Sequence, residues 1–224
     1  MKKMISLLLC LMLLCVCTAC SVAEDTPAAT EAPASAEASG AAEAGSNSLV
    51  VYFAVAENSE TDAVSSASVV TLNDTPTGKV AVLANAIQQK TGADLFSIDT
   101  ESVYPSNIMD LLDFAQEEQD DNARPVILNT IETIDQYDTI FVGYPLWWYD
   151  LPQVIYTFFD AYDLSGKTII PFCTHNGSRF FGTIGTIEDL EPDATVIRDG
   201  YTVSEWDVAE APAAIEAWLT KLGY

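Results

Sequence analysis

The chain has 224 residues, room for one ordinary domain with extensions, and 49% of them are hydrophobic, ample for a core. Its 33 acidic and 9 basic residues give a formal net charge of -24. That balance argues against nucleic acid or bare anionic membrane as electrostatic partners, and leaves a cationic protein partner or plain solubility as its use. His175 is the single histidine and Cys173 the single cysteine beyond residue 20, too few ligands for a transition-metal site.

Lys2 and Lys3 precede an apolar run from Met4 to about Ala19, too short for a stable spanning helix and flanked like a signal peptide. Cys10, Cys15, Cys17 and Cys20 lie in this run or at its end, so they do not read as a disulfide framework. Thr18-Ala19-Cys20 resembles the lipobox of bacterial lipoproteins, although Cys17 stands where a Leu-like residue is usual. The resemblance implies cleavage before Cys20, lipid on Cys20, and an extracytoplasmic protein anchored to the cell membrane. Loss of Lys2 and Lys3 would leave 7 basic against 33 acidic residues, a net charge of -26. Residues 20–47 are an acidic Ala/Glu/Pro/Ser segment without a basic side chain, which reads as a disordered tether. The folded domain is expected over residues 48–224.

From Leu49 the pattern alternates strands with helices. Residues 49–53 (LVVYF) form an apolar run suited to a strand covered on both faces. Residues 54–77 are polar, rich in Ser, Thr, Asp and Asn, and a loop of that length is uncommon in a compact domain unless it is functional. Behind Thr77-Gly78-Lys79, the spacing of Val80, Leu83, Ala84 and Ile87 predicts a helix stopped by Gly92. The free amides at its start suit an anion such as phosphate. A second strand is expected at 94–98. Ser106 is then a possible cap for a helix that carries Ile108, Leu111, Leu112 and Ala115 on one face.

Residues 138–152 (DTIFVGYPLWWYDLP) organise the rest. A third strand at 139–142 passes through Gly143 and Pro145 into two adjacent tryptophans, and a helix with Ile155, Phe158, Phe159 and Tyr162 follows Pro152, Asp150 being its possible cap. Two neighbouring tryptophans cannot both enter one core from a tight loop, so residues 146–151 are a candidate surface for a flat ligand. A fourth strand at 167–172 leads into the loop 173–178 (CTHNGS), a fifth is expected at 194–197, and Ala211, Ile215, Trp218 and Leu219 mark a last helix. Five strands alternating with helices predict an α/β three-layer sandwich whose parallel sheet has the order 2-1-3-4-5. The loops after strands one, three and four then meet at the switch point.

At these residues the chain resembles the flavodoxin family, in particular the small flavodoxins and flavodoxin-like NAD(P)H-dependent oxidoreductases. The resemblance covers about residues 49–224, through LVVYF, TGADLFSI, ARP, GYPLWWYDLP, SGKTIIPFCTHNGS, PDATV and WLTKLGY. It implies non-covalent flavin mononucleotide (FMN) and electron transfer. Carried over by position, Thr77, Gly78, Lys79 and Val80 would hold the phosphate; Pro145, Leu146, Trp147, Trp148 and Tyr149 would border the ring; and Thr174, His175, Asn176, Gly177 and Ser178 would line its other edge. Relatives usually carry Ser or Thr where Ala54 stands, and Gly-Asn-Thr where this chain has Gly78-Lys79-Val80. Two hydroxyl donors are thus replaced, which costs on the order of 3–6 kcal/mol of phosphate binding before compensation. Lys79 supplies charge in their place and Glu57 opposes it, while Ser59, Thr61, Ser65, Ser66 and Ser68 offer hydroxyls in the long loop.

Two functions compete on these residues. The first is an FMN-binding electron-transfer protein or oxidoreductase, lipid-anchored outside the membrane, acting on a redox partner protein or small acceptor. The second is a binding module that keeps the fold and uses the cleft for another planar ligand or a protein.

Overall fold

The computed structural model describes residues 47–59 and 69–224. Cys20, the tether as far as Ser46, and Thr61, Ser65, Ser66 and Ser68 lie outside those residues.

Strand β1 (Ser48–Tyr52) is buried along its whole length. A short 3-10 turn (Val55–Glu57) follows, and Asn58 fixes it: its side-chain amide donates to the carbonyls of Ala54 and Ile98, both at 3.0 Å, while its oxygen accepts from Thr100 N at 2.9 Å. The polar stretch expected to be a loop then contains an antiparallel hairpin, β2 (Val69–Leu72) and β3 (Thr75–Gly78). Its two-residue turn, Asn73-Asp74, has φ of 49° and 62°, the left-handed pair that a tight hairpin needs. Helix α1 (Lys79–Thr91) starts directly from β3 and ends at Gly92, whose φ of 73° and N–H bond to the Gln88 carbonyl (2.8 Å) close it as the sequence predicts.

Next come β4 (Asp94–Ser97) and α2 (Ile108–Asp120). The cap of α2 is Asn107, not Ser106; its oxygen accepts from Met109 N at 2.9 Å and Asp110 N at 3.4 Å. Strand β5 (Thr139–Pro145) and α3 (Gln153–Ala161) flank the tryptophan turn. Asp150 does not cap α3: its carboxylate accepts from Leu151 N at 2.8 Å and from the Tyr156 hydroxyl at 3.0 Å. Strand β6 (Thr168–His175) runs three residues beyond its expected end and is followed by an unexpected helix, α4 (Thr183–Leu190). The fifth sheet position is shared by two short strands, β7 (Thr195–Val196) and β8 (Tyr201–Ser204), which pair with successive stretches of β6. Helix α5 (Ala211–Leu222) ends the fold.

The sheet order β4-β1-β5-β6-β7, with β8 also on β6, is the predicted 2-1-3-4-5 order with its last position divided. All its pairings are parallel. Because successive side chains point to opposite faces, Val50, Tyr52, Phe141, Ile170 and Phe172 pack with α1 and α5. Leu49, Val51, Ile140, Val142 and Ile169 pack with α2, α3 and α4. Burial on both faces is why the strands read as unbroken apolar runs. Gly143 is required in β5, since a Cβ there would fall 2.1 Å from the Phe172 ring.

Candidate functional site

The switch point of the sheet lies between β1 and β5, where the chain leaves in opposite directions. Above the C-terminal ends of β1, β5 and β6 opens a cleft of about 290 Å³. Ala54, Val55, Lys79 and Val80 form one end; Pro145, Leu146 and Trp147 come from the end of β5; Thr174, His175 and Asn176 come from β6. Ile108, Leu111, Leu112 and Ala115 of α2 make an apolar side, and Glu205 and Trp206, just after β8, make the side opposite.

The tryptophan turn separates its two rings. Trp147 and Asp150 exchange backbone hydrogen bonds at 3.1 and 2.8 Å, which forces Trp148 and Tyr149 into φ of 46° and 67°. Such angles are costly for bulky residues and mark a turn held by its surroundings. Trp147 is half-buried, its ring edge-on to Phe53 at 5.6 Å and tilted against Tyr104 at 5.6 Å. Trp148 faces away and donates its indole N–H to the Leu112 carbonyl at 2.9 Å, tying the turn to α2. Tyr149 lies exposed against Phe181, ring centroids 4.9 Å apart. One tryptophan therefore lines the cleft and the other braces it.

On the β6 side, Leu146 N donates to the Thr174 carbonyl at 2.8 Å, joining two of the loops. His175 Nδ1 accepts from Gly177 N at 3.0 Å, so a neutral ring carries its proton on Nε2, and burial together with the Arg179 charge holds its pKa below the usual histidine range. Gly177 and Ser178 sit beyond the lining. Cys173 is fully buried, and burial pushes its thiol well above the ordinary range, which suits packing rather than redox chemistry.

The α1 end departs most from expectation. Gly78 packs under the loop after β1, where an added Cβ would meet the methyls of Ala54 at 3.2 Å and Ala56 at 3.4 Å. Lys79 is buried and its ammonium pairs with Glu205 at 3.3 Å, the two side chains being 5% and 13% exposed. The Trp206 ring lies 5.5 Å from that ammonium. Burial pulls the Lys79 pKa down while Glu205 pulls it up. Glu57, which the sequence sets against an anion, is turned to β1 and β4 and accepts from the hydroxyls of Tyr52 and Ser97.

Of the residues singled out by sequence, the cleft thus brings together Lys79, Val80, Pro145, Leu146, Trp147, Thr174, His175 and Asn176. Thr77, Gly78, Trp148, Tyr149, Gly177 and Ser178 stand beside it. Sequence reading missed Glu205 and Trp206, because the four-residue β8 that delivers them is neither long nor apolar enough to announce itself. It put Ile108, Leu111, Leu112 and Ala115 on one apolar stripe of a helix without linking that stripe to a ligand; Ile108 and Leu112 remain outside the core and line the cleft. The width of that stripe was the available signal.

A family model described as Flavodoxin matches residues 49–221. The chain belongs to the flavodoxin family. Among solved structures, this flavodoxin is similar to a candidate flavoprotein from Bacteroides eggerthii, with 28% identity and a TM-score of 0.61 over 80% of this chain and 99% of that one. A second candidate flavoprotein, from Bacteroides uniformis, is 23% identical with a TM-score of 0.62 over 79% and 99% of the two chains. A Lactobacillus acidophilus flavoprotein solved in complex with FMN is 17% identical, with a TM-score of 0.53 over 74% and 97%, and shares the fold. No curated protein matches the chain.

The flavin that this family implies can be tested against the cleft. Its ring portion fits: the lining offers Trp147 and the α2 side chains as apolar walls, with Thr174, His175 and Asn176 as the polar residues at the β6 edge. Its phosphate portion meets a cation already matched by Glu205.

Proposed function

We propose that this flavodoxin binds a flavin in the β1–β5–β6 cleft and transfers electrons between a reductant and an acceptor outside the cytoplasmic membrane, held there by lipid on Cys20. The observation that carries the reading is the position of Trp147, half-buried at the switch point in a cleft that the apolar residues of α2 also line. When bound, the flavin supplies the one- or two-electron chemistry of its ring.

The chain's own residues supply position and environment. Trp147, held by Phe53 and Tyr104, gives a rigid aromatic face, so little ordering is left to the moment of binding. Ile108, Leu111, Leu112 and Ala115 exclude water along the α2 side of the cleft. The net charge of -26 left after loss of Lys2 and Lys3 makes the molecule's surroundings negative, which disfavours added negative charge in the site and lowers the reduction potential of what it holds.

The reading is tested by loading the purified chain with flavin, titrating it anaerobically with dithionite and then adding ferricyanide. Bleaching of the bound flavin's absorbance and its return with ferricyanide are expected. A bound flavin that resists reduction would refute the electron-transfer role, and failure to load any flavin would refute the cofactor.

A further inference from the structure

We propose that the cleft selects a flavin without its terminal phosphate, riboflavin, over FMN; the inference rests on the flavin reading above. It follows from what stands at the start of α1, where the phosphate end of a flavin would lie. There the Glu205 carboxylate sits 3.3 Å from the Lys79 ammonium. The pair sums to zero charge.

A phosphate monoester carries about two negative charges at neutral pH and has only acceptor oxygens. To use Lys79 it must displace Glu205 or share the cation with it, and in a half-buried cleft the two anions repel. Glu205 is not a loose surface side chain. Its backbone N–H donates to the His175 carbonyl at 2.8 Å, and the turn after it is closed by a bond from Asp207 N to the Ser204 carbonyl at 2.9 Å. The Trp206 ring covers the ammonium from the solvent side. The methyls of Ala54 and Ala56 close on Gly78, so among the described residues the α1 start has no open glycine cradle against which a phosphate would pack.

A hydroxyl reverses the balance. It can donate to the Glu205 carboxylate and accept from Lys79 without adding charge, and the polyol chain of riboflavin ends in a hydroxyl where FMN carries its phosphate. A carboxylate acceptor thus discriminates between a donor and an acceptor at the same position, the kind of polar contrast that yields large specificity ratios. Lys79 holds Glu205 in place and is the positioning residue of this selection.

The test is a flavin-fluorescence titration of the full chain, in detergent, with riboflavin and with FMN, repeated with Glu205→Gln. Riboflavin binding at least about tenfold tighter than FMN, and a Glu205→Gln ratio shifted toward FMN by a similar factor, are expected. FMN binding as tightly as riboflavin, or tighter, to the unaltered chain would overturn the selection and leave the flavin reading standing. Binding of neither flavin would overturn both. If Glu205→Gln fails to give a native circular dichroism spectrum, the ratio measured on the unaltered chain decides alone.

Discussion

At the scale of single residues, two positions show how packing and charge set local limits. Gly143 gives its space to the Phe172 ring, and both belong to adjacent central strands. Gly143→Ala must move that ring or the strands, so it should destabilise the fold by about 1–3 kcal/mol, read as a lower urea midpoint with an unchanged slope. Glu118 is buried with its carboxylate facing the Tyr104 hydroxyl, which donates to both its oxygens at 3.3 Å. Burial pushes its pKa up to about 7, against the smaller opposing effect of that hydrogen bond. Between its ordinary value of 4.5 and about 7 the folded protein therefore retains a proton that the unfolded chain has released. Stability from this group is present at the low end of that window and lost as pH rises through it. Urea midpoints at pH 5 and pH 7.5 should show a smaller drop in Glu118→Gln than in the unaltered chain; equal drops would contradict the assignment. Tyr104 also packs on Trp147, so this buried carboxyl lies one residue beneath the wall of the cleft.

At the scale of elements, α2 is a wall of the site whose first turn is set by the Asn107 cap. Asn107→Ala should cost about 1 kcal/mol of stability. Because Ile108 and Leu111 sit in the first turn, the same change should weaken ligand binding more than an equal loss elsewhere. Comparing flavin affinity in Asn107→Ala and Gly143→Ala checks this, and equal effects would count against α2 as a wall. The sequence made the buried elements legible for a physical reason: strands covered on both faces must be apolar throughout, and α1 declares its end with Gly92. It hid the β2–β3 hairpin, where Asn73-Asp74 makes the turn without the usual glycine and Pro76 sits within a strand. It also hid β8, which is half-buried and only four residues long. The site was legible in part for the same reason. Pro145, Leu146, Trp147 and Thr174 lie at the ends of long apolar strands, whereas Glu205 follows a strand with no signature and pairs with Lys79 across 126 positions of chain.

At the scale of the whole molecule, the flavodoxin arrangement gathers three loops at one switch point and leaves charge and location to the rest of the chain. A formal charge of -24 predicts that association with a cationic redox partner will weaken as salt is raised. The lipobox-like ending at Cys20 predicts that Cys20→Ser moves the protein from the membrane pellet to the soluble fraction of cells that express it. A mutant that stays in the pellet would refute lipid anchoring through this residue.

A flavin ring lying against Trp147 is the central expectation, and its most direct measurement is flavin-fluorescence titration of the unaltered chain and of Trp147→Ala, with riboflavin and FMN as the probes. Saturable quenching of at least one flavin by the unaltered chain, with affinity reduced about tenfold in Trp147→Ala, is the result predicted. Absence of quenching by either flavin, or equal affinity in the two proteins, would contradict the placement of a flavin in this cleft.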